Sequence, residues 1–341
     1  MSKRQVAMVF DLNKCLGCHT CTMACKTLWT RDEGQDYMWW NSVNTMPGKG
    51  TPRGWEDMGG GFENGEAKPG QMPTRRQFGE AWEFNHKDIF EGGQGKQTHL
   101  QVRDGEPDWG PNWDEEQGAG EYPNSYFFYL PRICNHCSEP ACVAACPRKA
   151  IEKREEDGIV VINEDHCRGL RFCMEACPYK KIYFNDVIAK SQKCILCYPR
   201  LEQGVAPACA RQCPGRLRHV GYLDDENSSV HKLVRQWKVA VPLHPEYGTQ
   251  PNVFYVPPTN PKKLAADGRL DHSEPRIPQA YLHSLFGQAG LDALAILEDE
   301  RQKVRDGGKS ELIDLLVVYK WSDMLGGFDQ DPATIRWTDA G

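Results

Sequence analysis

With 341 residues the chain is long enough for two domains with cores of their own, and a formal charge of −6 gives it no basic field for nucleic acid. A mean hydropathy of −0.63, with apolar runs no longer than Val6 to Phe10 or Leu315 to Tyr319, excludes a bilayer-spanning helix, which takes about 20 apolar residues. The few residues ahead of Val6 leave no room for a secretory signal and Lys3-Arg4 is not a twin-arginine motif, so export is expected to depend on another chain.

Gln5 to Leu12 reads as a strand running into a first cysteine group, Cys15, Cys18, Cys21 and Cys25, spaced C-x2-C-x2-C-x3-C, with a short helix over Cys21 to Leu28. Residues 31–124 form an insertion rich in Gly, Trp and acidic residues, and long irregular segments of this kind usually cover something. Seven of the ten tryptophans fall between Lys26 and Ile133, Trp39 and Trp40 among them, either packing over the cysteine loops or anchoring a subunit interface, where aromatics are enriched. Ser125 to Leu130 alternates as a strand into the second group, Cys134, Cys137, Cys142 and Cys146, which Pro147 closes, with a helix over Ala141 to Cys146. Strands over Ala150 to Lys153 and Ile159 to Ile162 flank the turn signal Glu156-Asp157-Gly158. The third group is Cys167, Cys173 and Cys177 before Pro178, and the fourth is Cys194, Cys197, Cys209 and Cys213 before Pro214; Lys181 to Phe184 and His219 to Leu223 are the strands that follow them. A helix over Val230 to Lys238, capped by Ser228 or Ser229, enters the Pro-rich run Pro242 to Pro261. Beyond it, Leu291, Leu294, Leu297 and Val304 recur at helical spacing before Gly307-Gly308, and Leu312, Leu315, Leu316 and Tyr319 make a second apolar face. Both faces are expected to pack as ordinary core, with docking against a partner as the alternative.

All fifteen cysteines fall in these four groups. An odd count clustered within a few residues disfavours disulfides. Zinc sites pair two C-x2-C knuckles, whereas a third cysteine two residues on, followed by Cys-Pro, overfills a tetrahedral site. The spacing is that of iron-sulfur ligation, in which three cysteines of one tight loop wrap a cluster and the last cysteine of the run ligates the other cluster of a pair. Four motifs then imply four clusters in an α+β fold with two bacterial-type, two-cluster ferredoxin-like units. Residues 1–30 with 179–225 form one unit and 125–178 the other, with 226–341 as a C-terminal extension for subunit contacts. Where the third motif should carry another cysteine it reads Cys167-Arg-Gly-Leu170-Arg-Phe-Cys173, and Leu170 cannot bind iron. Four cubes need sixteen thiolates and the chain has fifteen, so one cube is expected to be 3Fe-4S and the other three 4Fe-4S. A fourth iron held through water or His166 is the alternative. His19, His136 and His166 read as hydrogen-bonding neighbours of the ligands, and Lys193, Arg168 and Arg171 as candidate charges that raise cluster potentials.

Long runs outside the spacing carry a resemblance: Lys14-Cys-Leu-Gly-Cys-His-Thr-Cys-Thr-Met-Ala-Cys-Lys-Thr-Leu-Trp29, Asn112-Trp-Asp-Glu-Glu-Gln-Gly-Ala-Gly-Glu-Tyr-Pro123 and Pro242-Leu-His-Pro-Glu-Tyr-Gly248. The whole chain resembles the beta subunits of the dimethyl sulfoxide reductase superfamily of molybdenum enzymes. The likeness is to the nitrate reductase branch with ethylbenzene dehydrogenase, perchlorate reductase, selenate reductase and dimethyl sulfide dehydrogenase. The resemblance implies that Cys15, Cys18, Cys21 and Cys213 hold the 4Fe-4S cluster nearest a molybdopterin-containing alpha subunit, and Cys25, Cys194, Cys197 and Cys209 the next. It implies that Cys134, Cys137, Cys142 and Cys177 hold the third, and Cys146, Cys167 and Cys173 a 3Fe-4S cluster facing a haem b gamma subunit. The chain is then a wire without a catalytic residue of its own, and Leu170 sets it apart from family members that carry a cysteine there. The resemblance also implies a periplasmic location, reached with the signal-bearing catalytic subunit, with a cytoplasmic-face nitrate reductase as the alternative. A free-standing polyferredoxin and a zinc scaffold are the competing readings; the long insertion and ligand-free tail favour a subunit clamped between partners.

Overall fold

The run Val6–Asp11 (β1) is apolar at its first five positions instead of alternating, the mark of a strand covered on both faces, and all six of its residues are buried. In this computed structural model, which describes residues 4–79 and 118–334, β1 is an inner strand of a four-stranded sheet. The chain continues through α1 (Thr20–Trp29) and β2 (Ser42–Met46) to β3 (Phe128–Arg132), which pairs antiparallel with β2. Then come α2 (Ala141–Ala144), the hairpin of β4 (Ile151–Lys153) and β5 (Val160–Ile162), α3 (Phe172–Ala176), and the hairpin of β6 (Ile182–Asn185) and β7 (Lys190–Lys193). After α4 (Tyr198–Leu201) and α5 (Ala208–Arg211) follow β8 (Arg218–Tyr222), β9 (Val241–Pro242) and β10 (Val253–Val256). Three helices close the described chain: α6 (Gln279–Arg305), α7 (Glu311–Val317) and α8 (Trp321–Leu325). The sheet order is β8-β1-β10-β9, with β8 antiparallel and β10 parallel to β1, so Phe10 stands opposite both Arg218 and Tyr255. Helix and strand are mixed, as expected for an α+β chain.

The length of each helix after a cysteine loop follows from what succeeds its last cysteine. Proline disfavours helical geometry in the residue before it, and α2, α3 and α5 run only four or five residues before Cys146-Pro147, Cys177-Pro178 and Cys213-Pro214. Each of these three Cys-Pro steps then makes the same tight turn. The amides of Lys149, Lys180 and Arg216 donate to the carbonyls of Cys146, Cys177 and Cys213 at 3.1, 3.2 and 3.1 Å, and all three basic residues take positive φ. Each turn delivers the chain directly into a strand. No proline follows Cys25, so α1 runs on past it to Trp29, ten residues in all.

Several expectations shift. The strand expected over Ser125 to Leu130 lies at Phe128–Arg132, because its pairing with β2 puts Pro131 opposite Val43. The helix expected over Val230 to Lys238 is one α turn at Ser229–His231, capped by the Ser228 hydroxyl, followed by a π-type turn at Lys232–Gln236. The tail joins the core. β10 is fully buried, and α6, bent where Gly287 takes a φ of 64°, buries Leu282, Leu285, Phe286, Ala293 and Leu297. Leu312 and Leu316 are buried, but Val304 and Tyr319, expected on apolar faces, are exposed because those positions lie past the packed turns of α6 and α7. Of the insertion's tryptophans, Trp39, Trp40 and Trp55 are buried, and Trp82, Trp109 and Trp113 lie outside the described residues.

Candidate metal centres

Folding brings the fifteen cysteines together around four cavities. Cavity A is lined by Cys15, Cys18, Cys21 and Cys213, and cavity B by Cys25, Cys194, Cys197 and Cys209. Cavity C is lined by Cys134, Cys137, Cys142 and Cys177. Cavity D has three thiols, those of Cys146, Cys167 and Cys173, and Leu170 stands in its wall. In every cavity three cysteines or fewer come from one loop and at least one arrives from another motif. The cavities adjoin in the order A, B, C, D: Cys21 lies near Cys25 and Cys209, Cys134 near Cys194, and Cys173 near Cys177.

Backbone geometry aims these thiols inward. Gly17, at φ +64°, lets the first loop turn where a Cβ would sit 2.6 Å from the Tyr129 ring, and His19 at the entry of α1 is also left-handed. His136, Arg171 and Cys197 take positive φ at corresponding places in the other loops. Backbone amides then reach sulfur, from Ala150 to Cys146 and from Leu196 to Cys194, each at 3.3 Å.

Burial and the neighbouring cysteines favour the protonated form of several of these thiols. Burial first, then neighbouring cysteines, pushes Cys15 up to about 12, and burial does the same to Cys209 and, to about 11, to Cys173. Cys25 and Cys142 are pushed well above the usual thiol range for the same reasons. Thiols so placed become thiolates only when a cation takes the proton's place.

The surroundings are built for negative charge. Arg132, Lys180, Lys181, Lys193 and Arg218 are buried, and among the described residues none is paired with a carboxylate. They rest on neutral oxygens instead: Lys181 on the Ser42 hydroxyl at 2.8 Å, Lys193 on the Cys194 carbonyl at 2.9 Å, Arg132 on the Asn44 amide oxygen at 3.2 Å. Burial lowers Lys181 well below and Lys180 to about 8. Trp29 Nε1 donates to Cys197 Sγ and Arg218 Nη2 to Cys21 Sγ, each at 3.0 Å. Other buried N–H groups at the cavity walls have no partner among the described residues: Trp40 Nε1 and Asn41 Nδ2 at cavity B, and Arg218 Nε and Nη1 at cavity A. At cavity C, His136 Nδ1 accepts from the Val160 amide at 3.1 Å, which leaves Nε2 as the protonated nitrogen, also unpartnered.

Residues 125–223 match the family model described as a 4Fe-4S dicluster domain. The chain is 54% identical over 326 residues to the dimethylsulfide dehydrogenase subunit beta of Rhodovulum sulfidophilum, a match covering 95% of this chain and 99% of that one. It is 56% identical over 330 residues to the selenate reductase subunit beta of Thauera selenatis, covering 96% and 100%. It is 58% identical over 321 residues to the respiratory nitrate reductase subunit beta of Haloferax mediterranei, covering 92% and 90%. The chain belongs to the beta subunits of the dimethyl sulfoxide reductase family.

In this beta subunit the donor set fits an anionic, sulfur-rich group better than a single ion. Its thiols ring a space, and among the described residues no three His, Cys, Asp or Glu side chains converge on one metal ion. Of the neighbours expected from sequence, His19 and His136 line cavities A and C, and Arg168 and Arg171 line cavity D. Lys193 lies close enough to Cys142 to favour its thiolate. His166 is exposed and stands outside the wall of cavity D. Sequence reasoning missed Arg218, Lys181, Trp29 and Asn41, whereas Trp40, expected to pack over the cysteine loops or to anchor an interface, lines cavity B. Lys181 and Arg218 stand four and five residues beyond Cys-Pro cysteines, a signal available in the sequence; Asn41 sits in the insertion and carried none.

Proposed function

We propose that this beta subunit is a conductor of single electrons, holding 4Fe-4S clusters in cavities A, B and C and a 3Fe-4S cluster in cavity D, within two ferredoxin-like units. The observation that carries this reading is the sorting of fifteen cysteines into sets of four, four, four and three around adjoining cavities. Each bound cluster supplies reversible storage of one electron. The protein's part is to fix the order of the sites, exclude water, and favour added negative charge through buried cations and N–H donors.

The two ends of the row differ from its middle. Leu16, 68% exposed, lines cavity A, and Leu170, 49% exposed, lines cavity D beside Phe172, 48% exposed. Apolar side chains left in solvent beside the terminal cavities support docking of redox partners there: a molybdopterin-containing catalytic subunit at A and a haem b subunit at D. Electrons then pass along the row in the direction the catalytic partner's reaction requires, and the complex works in the periplasm. No helix among the described residues is long and apolar enough to cross a membrane, so attachment to one falls to a partner.

The test is electron paramagnetic resonance of the purified protein, oxidised with ferricyanide and reduced stepwise, with iron and zinc counted on the same sample. The expected result is the sharp signal of an oxidised 3Fe-4S cluster, replaced on reduction by overlapping 4Fe-4S signals. Absence of that sharp signal at full 4Fe-4S occupancy would remove the three-iron assignment, and zinc without iron would remove the redox reading.

A further inference from the structure

The partition between cavities A and B is built around one side chain. Arg218, on β8, is fully buried and lies with its guanidinium 4.3 Å from the centre of the Phe10 ring, its partner across β1. Its Nη2 donates to Cys21 Sγ of cavity A at 3.0 Å and to the Asn41 amide oxygen at 3.2 Å. Asn41 itself lines cavity B, and Arg218 lies close enough to Cys209 of cavity B to favour its thiolate. The thiols whose charge it feels are Cys21, Cys209, Cys213 and Cys15, drawn from both cavities. No carboxylate is paired with it among the described residues, and its Nε and Nη1 have no partner there.

We propose that Arg218 is a shared positive charge between the centres in cavities A and B, and that it raises the reduction potentials of both together. The inference rests on the cluster assignment above and deepens it. Reduction adds one electron, hence one negative charge, to either centre, and a fixed cation beside it favours that form. A guanidinium does not release its proton in proteins, so its influence does not vary with pH. Cavities C and D lie beyond its reach and are governed by other groups, Lys181 and Lys193 at C and Arg168 and Arg171 at D.

The experiment is redox titration followed by electron paramagnetic resonance on the complex as purified, comparing wild type with Arg218→Gln and Arg218→Lys, with iron and acid-labile sulfide counted in each. Arg218→Gln keeps a donor and loses the charge. Two of the four potentials are expected to fall, each by at least tenfold in the reduction equilibrium, about 59 mV for one electron, with the other two unmoved. Arg218→Lys restores the charge and is expected to recover more than half of both shifts. Movement of a single potential, movement of all four, or identical behaviour of the Lys and Gln variants overturns the proposal. If Arg218→Gln loses iron, Arg218→Lys decides alone: a fall in two of the four potentials, each less than half of that 59 mV (about 30 mV), upholds the shared charge, and any other pattern rejects it. A wild-type protein without iron and sulfide would instead overturn the cluster assignment, so the two failures are distinguishable.

Discussion

Leu170 occupies the place in the wall of cavity D where the other cavities have a fourth thiol, and at 49% exposure it is not locked in by packing. Replacing it by cysteine therefore changes the donor set more than the fold. Gly169 before it already supplies the left-handed turn, at φ +68°. If cavity D holds the proposed 3Fe-4S cluster, Leu170→Cys is expected to convert it to 4Fe-4S, adding one iron per chain and abolishing the sharp signal expected of the oxidised protein. Retention of that signal with unchanged iron would mean that something other than the missing thiol limits cavity D. The four cysteine motifs were legible in sequence because ligand chemistry fixes residue type and spacing together. The buried donors were not, because a tryptophan or arginine that reaches sulfur from a distant segment, as Trp29 reaches Cys197 across 168 positions, leaves no local mark.

At the scale of elements, the Cys-Pro-x-basic turns of Cys146, Cys177 and Cys213 show why strand positions after the motifs could be read to within a residue or two: proline stops the helix and the left-handed basic residue redirects the chain. Strand β8 shows what such reading leaves out. Successive residues of a strand face opposite sides, so Arg218 turns toward the cavities while His219 enters the apolar side. There both His219 nitrogens lack partners among the described residues, and burial drives its pKa down to about 3. An unfolded histidine titrates near 6.5. Below that pH the unfolded chain binds a proton that the folded chain refuses, so stability falls as pH drops from about 6.5 toward 3. At pH 5 the loss is about 2 kcal/mol. His219→Leu is expected to flatten this dependence, seen as a smaller drop in thermal midpoint between pH 7 and pH 5 than wild type shows. Equal drops in both proteins would mean that other groups carry the acid sensitivity.

Across the whole molecule, the tail packs as core, the reading favoured for its apolar faces, through a strand pairing that the sequence did not announce. The segment 226–341 holds no cysteine and reads as an extension for subunit contacts, with core packing the favoured reading of its apolar faces. In the fold it supplies β9 and β10 to the sheet that carries β1, and α6 backs onto that sheet. The reason is topological: β10 completes the hydrogen bonding of β1 on the side that β8 leaves open, a long-range pairing that no local pattern announces. Phe286 is the clearest link. It is fully buried, its ring centre 6.2 Å from that of Tyr255, which lies opposite Phe10 across the sheet; the amide of His244 donates to the neighbouring Leu285 carbonyl at 2.7 Å. Truncating a buried phenylalanine costs about 3 to 5 kcal/mol. Phe286→Ala is therefore expected to lower the temperature at which the protein loses its visible iron-sulfur absorption, in the isolated subunit as well as in the complex. If α6 served only to dock a partner, the isolated subunit would be unaffected and the variant would merely dissociate more readily.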